Sequence, residues 1–396
     1  MFSSKKRHFR KEIEKKFLKL KKACFFFWNK KTLVLKKQAW FVCCSTLVVK
    51  KKKIICTFKR KSIISIKKKD PSTLSRWILK EQQKYPKAKG DLTVLLNSVQ
   101  LACKIIANAA KGAGIYNLYG ITGEENKSGD IVKKLDTFSN ESMINCISFT
   151  GTVPIMASEE AENSIIVPNC DQPKYCVVFD PLDGSSNIDA NVSIGTIFGI
   201  YRIEDPKKPQ DSDLLQKGEK LVCSGYAMYG HSTMLVLTFG DEVNGFTLDP
   251  QIGEFILTHR RIQIPEKGSI YSINEGNAKD FDKVVTTFIH RCKNPTKGSP
   301  KKARYIGSMV ADIHRTLLYG GIFMYPATKD SPNGKLRLLY ELNPLAFIVE
   351  AAGGKASTGS APILSLQPTS LHQRQPCFFG SKADVEEIEA LYASTT

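Results

Sequence analysis

Between residues 74 and 110 the apolar positions recur at helical spacing. Leu74, Trp77 and Ile78 share one face of a short segment that follows Asp70-Pro71-Ser72. Leu92, Leu95, Leu96, Val99, Cys103, Ile106 and Ala110 keep a three-four rhythm over a longer one, so two amphipathic helices are predicted. Tyr85–Gly90 is a polar break between them, Asp91 is placed to cap the second helix, and Gly112 and Gly114 end it. Ile115–Leu135 has no period. Gly120, Gly123 and Gly129 punctuate it, and Glu124-Glu125-Asn126-Lys127-Ser128 is wholly polar. That is a surface loop, with the composition of a lid. A helix is expected over Asp136–Phe149, then a strand ending at Ser158-Glu159-Glu160.

At Cys176 the rhythm shortens. Cys176, Val177, Val178 and Phe179 are uniformly apolar, the pattern of a buried strand, and Pro181 predicts that ladder pairing ends at Asp180. Short strands follow at Val192–Arg202, Leu221–Gly230, Met234–Phe239, Gly245–Leu248 and Glu254–Leu257, a density that indicates a largely antiparallel sheet. After residue 262 strands and helices alternate: strands at Ile270–Ile273, Ile322–Tyr325 and Arg337–Tyr340, and helices at Phe281–Arg291, Ser308–Tyr319 and from Asn343-Pro344 to Gly353-Gly354. The fold class is therefore mixed, α+β with α/β. The antiparallel half covers 70–262 and the smaller α/β half 263–396.

The net charge of +20 changes the picture only at the amino end. Residues 1–69 carry 24 Lys+Arg against Glu12 and Glu14, whereas the remainder carries 34 basic and 36 acidic residues. The extension has no Gly, Pro or Asp, and its longest uncharged run, Gln38–Val49, is 12 residues, short of the roughly 20 that span a bilayer. Its three arginines and few serines do not suit an organellar transit peptide. Its Lys/Phe/Ile bias has the look of translated A/T-rich non-coding sequence, and the expectation is a disordered segment or a gene-model artefact. A Lys-rich arm carrying Phe25, Phe26, Phe27, Trp28 and Trp40 has the charge and stacking surface for nucleic acid. That reading and a targeting role are the alternatives. Seven cysteines lie in the body, none in a CxxC pair, which fits reduced thiols and a cytoplasmic protein.

The chemistry concentrates in Asp180-Pro181-Leu182-Asp183-Gly184-Ser185-Ser186-Asn187. Two carboxylates three residues apart bracket a turn and can converge on one point. Gly184-Ser185-Ser186 then offers free backbone N–H groups where a helix could begin, which suits a phosphate. Hard anionic oxygens beside an anion cradle suit a divalent cation held against a phosphoryl group. Glu159 and Glu341 have the same form, an acidic residue at the end of an apolar strand.

These stretches resemble the fructose-1,6-bisphosphatase family, within the Mg²⁺-dependent, lithium-sensitive sugar and inositol phosphatases. Asp180-Pro181-Leu182-Asp183-Gly184-Ser185 is similar to the motif of that superfamily. Gly195–Arg202, Leu248-Asp249-Pro250, Arg304–Asp312 and Lys335–Glu341 are similar to fructose-1,6-bisphosphatase itself. The resemblance runs from about Thr73 to Leu391. It implies a layered α-β-α-β-α fold and hydrolysis of the 1-phosphate of fructose 1,6-bisphosphate in gluconeogenesis. Sedoheptulose bisphosphatase or another sugar or inositol phosphatase is the nearest alternative, and a nucleic-acid-binding protein with an inactive phosphatase body is the distant one.

Residue by residue, the resemblance implies that Glu159, Asp180, Asp183, Glu341 and the Leu182 carbonyl bind two or more Mg²⁺, with Mn²⁺ as a substitute. It implies that Asp130, Asp136 and Glu160 activate water and stabilise the engaged loop. Asp183, Gly184, Ser185 and Ser186 would hold the 1-phosphate. Asn274, Tyr305, Tyr325, Lys335, Leu336 and Arg337 would line the sugar and 6-phosphate, with Arg304 reaching in from a neighbouring subunit of a homotetramer. Inhibition by AMP is implied at Ile78, Lys89, Asp91, Leu92, Thr93, Lys174, Tyr175 and Arg202. Two departures stand out. Asn277 occupies a position where many members have Tyr, and Lys87-Ala88-Lys89-Gly90-Asp91 replaces a Gly-Thr-Gly-Glu pattern. No membrane partner is expected.

Overall fold

The computed structural model describes residues 47–50, 53–56, 72–125 and 131–395. The chain divides into two units, 1–69 and 70–396. Within the first, Leu47–Lys50 and Lys53–Cys56 form an antiparallel hairpin. The remainder of the extension, and with it most of what its composition suggests, lies outside the described residues.

In the second unit, helices α1 (Leu74–Gln82), α2 (Asp91–Lys111) and α3 (Lys134–Ser148) precede a run of strands. These are β1 (Ile155–Ser158), β2 (Ile165–Ile166), β3 (Tyr175–Asp183), β4 (Ile194–Arg202), β5 (Leu221–Tyr229), β6 (Thr233–Thr238), β7 (Val243–Asp249) and β8 (Glu254–Ile262). They form one sheet in the order β8-β7-β6-β5-β4-β3-β1-β2. Every pairing is antiparallel except β1 with β3. A second sheet has β9 (Ile270–Ser272), β10 (Lys302–Ala303), β11 (Ile322–Tyr325), β12 (Lys355–Ser357) and β13 (Cys377–Gly380), ordered β10-β9-β11-β13-β12. Helices α4 (Lys283–Lys293), α5 (Met309–Tyr319), α6 (Asn343–Ala351) and α7 (Lys382–Ala393) flank it.

Alternation along the strands sets the layers, because successive side chains point to opposite faces. Val177 and Phe179 of β3, with Phe198 and Ile200 of β4, pack under α1, α2 and α3. Ile197, Tyr226 and Val236 face the other way, onto α5 and α6, where Phe323, Cys377 and Phe379 of the second sheet also meet them. Ile322, Met324 and Phe378 point outward onto α4 and α7. The result is helices, sheet, helices, sheet, helices, the five layers that the resemblance implies. The two halves share the middle core. Helix α2 is long and apolar enough to cross a membrane by length and composition alone, but more than half of its apolar stretch is buried inside this unit.

Several local expectations are corrected. Pro181 does not end β3. The ladder resumes at Asp183, opposite Gly195, after a bulge in which two residues of β3 face one of β4. A bulge tolerates proline because its extra residue has no ladder partner. Asp91 does not cap α2: Gly90 does, in the left-handed region at φ 95°. The strand expected over Arg337–Tyr340 is only Leu336–Arg337, and a π-helical turn, Leu338–Leu342, follows it.

Candidate metal centre and phosphate sites

Strands β1 and β3 run parallel with Ser158 opposite Phe179, so both finish at one edge of the large sheet. The backbone N–H of Glu159 donates to the Phe179 carbonyl at 3.1 Å, which sets Glu159 beside Asp180. The bulge then brings Asp183 back to the same place. From the other half of the molecule the π-turn delivers Glu341. Oxygens of Asp180, Asp183 and Glu341 lie within 4.8 Å of one another, and the three residues are 1%, 6% and 3% exposed.

Such a cluster cannot stay fully ionised unaided. Two like charges 4.8 Å apart repel by about 3 kcal/mol at an effective dielectric near 20. Three such pairs approach about 10 kcal/mol, comparable with the whole net stability of a domain. Burial first, then the neighbouring carboxylates, raise Asp180 well above its ordinary value. Burial pushes Asp183 up to about 6 and Glu341 up to about 8. Among the described residues several groups meet part of that charge, the Leu182 N–H donating to Asp180 Oδ1 at 2.9 Å. Asp183 Oδ2 accepts from Ser308 Oγ at 2.6 Å and from Val310 N at 2.9 Å, and its Oδ1 accepts from Met309 N at 3.1 Å, so it caps the positive end of α5. Glu159 pairs with the Arg337 guanidinium at 2.7 Å, and the backbone N–H of Arg337 donates to Glu341. The residues present fit a divalent cation: hard oxygen donors, buried and converging.

Asp136, at the start of α3, borders this cluster. It accepts from Lys133 N at 2.8 Å and from Ser185 Oγ at 2.7 Å, and the same hydroxyl is 2.9 Å from the Leu182 carbonyl. Burial, against these hydrogen bonds, pushes Asp136 up to about 6. Glu160 follows Glu159 directly, its backbone N–H donating to Ser158 Oγ at 3.3 Å. Asp130 lies outside the described residues. Ser185 and Ser186 form a single 3-10 turn, Ser185–Asn187, not the start of an α-helix. Gly184 precedes it at φ +82°, and a Cβ there would sit 2.7 Å from Ser308 Cβ. Only glycine lets the turn approach α5 this closely.

The residues expected around the 6-phosphate are gathered by topology. Strands β10, β9 and β11 are adjacent and parallel, so their carboxyl ends share an edge. Arg304 and Tyr305 follow β10, Asn274 follows β9, and Tyr325 ends β11. Ligand sites collect at such carboxyl edges. Arg304 and Lys335 are exposed, and Tyr305 is 40% exposed. Asn274 caps its own turn, accepting from Gly276 N at 3.1 Å. Partial burial, and to a lesser degree Tyr325, raise Tyr305 above its ordinary value. Leu336 and Arg337 are buried instead, and Arg337 faces the metal side through Glu159. Inspection of the sequence misses Asp312, which accepts from Ser272 Oγ (2.7 Å), Ile306 N (3.0 Å) and Gly307 N (3.1 Å) and pairs with Arg315 at 2.6 Å. It ties down the Arg304–Gly307 loop. Its one sequence signal is a carboxylate on the apolar face of a helix.

A cavity of about 730 Å³ lies where α1, α2, β3 and β4 meet. Ile78, Lys89, Asp91, Leu92, Thr93, Lys174, Tyr175 and Arg202 all line it. Lys174 pairs with Asp91 at 2.5 Å, Thr93 Oγ1 donates to Gln82 Oε1 at 2.6 Å, and the Arg202 guanidinium lies 5.7 Å from the Tyr175 ring centroid.

A converging carboxylate cluster and a basic, phenolic second locus, each at a sheet edge, define a metal-dependent phosphatase. The comparisons narrow that class. The family model for the fructose-1-6-bisphosphatase N-terminal domain matches residues 72–260, and the one for its C-terminal domain matches 264–393. The chain is 54% identical over 326 residues to the cytosolic fructose-1,6-bisphosphatase of Brassica napus, covering 82% of this chain and 96% of that protein. It is 55% identical over 326 residues to that of Oryza sativa subsp. indica, with the same coverage. The crystal structure of Leishmania major fructose-1,6-bisphosphatase in holo form superposes with a TM-score of 0.78 at 44% identity, covering 82% of this chain and 99% of that one. The chain belongs to the fructose-1,6-bisphosphatase family.

Proposed function

We propose that this chain hydrolyses the 1-phosphate of fructose 1,6-bisphosphate to fructose 6-phosphate and inorganic phosphate, in the cytosol and as a step of gluconeogenesis. The observation that carries this reading is the buried cluster Asp180, Asp183 and Glu341 within 4.8 Å, in a chain 54% identical to cytosolic members of the family.

Glu159, Asp180, Asp183, Glu341 and the Leu182 carbonyl would hold two or more Mg²⁺, or Mn²⁺ in their place. Bound there, the ions supply Lewis-acid polarisation of the phosphoryl group and a more acidic water. The protein supplies the rest. The α5 amino terminus and Ser308 orient Asp183 through three hydrogen bonds, so the carboxylate is preorganised. Gly184, Ser185 and Ser186 leave open backbone beside it for the reacting phosphate. Asp136, pushed up to about 6 by burial, is suited to take the proton of the attacking water. Glu160 and Asp130 share that role. The fixed 6-phosphate, held by Asn274, Tyr305, Tyr325, Lys335 and a neighbour's Arg304, sets which end reaches the cluster.

The cavity of α1 and α2 is the site we assign to AMP. Lys89, Lys174 and Arg202 offer cations for its phosphate, and Leu92 and Ile78 offer apolar surface for its base. Loss of AMP inhibition in Arg202→Ala supports that assignment; unchanged inhibition refutes it. The catalytic reading is tested by comparing kcat/KM for fructose 1,6-bisphosphate, sedoheptulose 1,7-bisphosphate and inositol monophosphate under matched Mg²⁺. Fructose 1,6-bisphosphate should lead, and a preference for the monophosphate overturns the reading.

A further inference from the structure

Glu341 and Glu159 reach the acidic cluster from segments far apart in the chain, and one side chain outside the cluster bridges those two segments. Residues 372–375 run alongside the turn that carries Glu341. Leu336 pairs with Gln375 and Arg337 with Arg374, and the Leu338 N–H donates to the Gln373 carbonyl at 2.7 Å. The next contact in the series is His372, whose Nδ1 lies 2.7 Å from the Tyr340 hydroxyl. The other ring nitrogen, Nε2, is 3.2 Å from the backbone carbonyl of Glu162, three residues beyond Glu159.

The chemistry of these contacts fixes the tautomer. A carbonyl oxygen only accepts, so Nε2 carries the hydrogen, and in the neutral ring Nδ1 then accepts from the Tyr340 O–H. Tyr340 is fully buried, and a buried hydroxyl requires a partner. Its ring packs with Leu339, Cys176 and Val178 on the face of the large sheet, directly before Glu341 in sequence. Glu341 sits inside a π-helical turn, a conformation with poor intrinsic stability that persists where neighbours impose it.

We propose that His372 is a positioning residue for the metal centre: by joining the Tyr340 hydroxyl to the Glu162 carbonyl, it sets the separation between the Glu341 turn and the Glu159 segment. This rests on the reading that those carboxylates hold divalent metal. His372 itself touches no reacting atom. Groups one layer behind metal ligands typically govern affinity by about 10- to 100-fold.

The experiment is calorimetric titration of Mn²⁺, then Mg²⁺, into the metal-free full chain without substrate. His372→Ala should bind about 10-fold more weakly than wild type. His372→Gln, whose amide offers one acceptor and one donor, should recover most of the affinity. Tyr340→Phe should match His372→Ala, and the double variant should be no weaker than either, because one linkage is lost in all three. Should His372→Ala fail to fold, the comparison of His372→Gln with Tyr340→Phe carries the test alone. Wild-type affinity in His372→Ala or in Tyr340→Phe, or a His372→Gln as weak as Tyr340→Phe, overturns the proposal. A wild-type chain that binds neither ion overturns the parent reading instead, so the two failures are distinct.

Discussion

At the scale of single residues, the acidic cluster makes stability depend on pH in an unusual direction. Asp183 and Glu341 have ordinary values of 3.8 and 4.5 and are pushed up to about 6 and about 8 in the folded chain. Between those limits the folded state holds protons that the unfolded state has released, so stability falls as pH rises. The favourable contribution is complete below about pH 4 and is lost as pH climbs through 6 to 8. Metal substitutes for those protons. We expect the Tm of the metal-free protein to fall from pH 5 to pH 8 and Mg²⁺ to raise Tm more at pH 8 than at pH 5, measured by scanning calorimetry with and without chelator. An equal Mg²⁺ effect at both values would contradict this. Asp180→Ala should lower kcat by at least about 100-fold at saturating Mg²⁺ and shrink the rise in Tm that Mg²⁺ gives at pH 8. A variant that keeps the full Mg²⁺ effect on Tm would show that Asp180 is not a metal ligand. The sequence makes these acidic residues legible as polar stops after apolar strands. It does not disclose that Arg337 neutralises Glu159, because that pair exists only once two distant segments have packed.

Among elements, the large sheet and its helices are readable because burial is one-sided and leaves a period. Helix α2 and strands β3 to β7 follow from that rhythm to within a few residues, whereas β8, expected to end at Leu257, runs on to Ile262. The misreadings share a cause. Pro181, Gly184-Ser185 and Leu338–Glu341 carry local signals for a stop, a helix start and a strand, and tertiary packing overrides each with a bulge, a 3-10 turn and a π-turn. All three lie at the carboxylate edge, where local preference yields to the packing of the proposed site. The loop after β10 shows the opposite arrangement, with irregular backbone pinned from outside by Asp312. Asp312→Ala leaves Ile306 N and Gly307 N without their acceptor, and the loop that presents Arg304 and Tyr305 should loosen. The expected result is a KM for fructose 1,6-bisphosphate raised about tenfold, at about 1.4 kcal/mol, with the Mg²⁺ dependence little changed. A shifted Mg²⁺ dependence with constant KM would place Asp312 in the metal centre instead.

On the scale of the whole fold, α5 touches both of the sites we propose: its amino end holds Asp183, and Asp312 in its first turn holds the Ile306–Gly307 backbone of the loop that carries Arg304 and Tyr305. Arg304 is exposed, and in the homotetramer we propose, closed symmetry would let each subunit donate it and receive it. Mixing Arg304→Ala with Asp180→Ala under conditions of subunit exchange should restore part of the activity, because some hybrid sites carry neither lesion. Exchange without recovery would show that Arg304 serves its own subunit.

In the function proposed here the carboxylate edge reacts and the basic edge only anchors, and ³¹P NMR of fructose 1,6-bisphosphate during turnover separates the two. The 1-phosphate resonance should disappear as inorganic phosphate grows, with the 6-phosphate retained, and the reaction should stop on chelation of divalent metal. Loss of the 6-phosphate, or turnover undiminished by chelator, would contradict it.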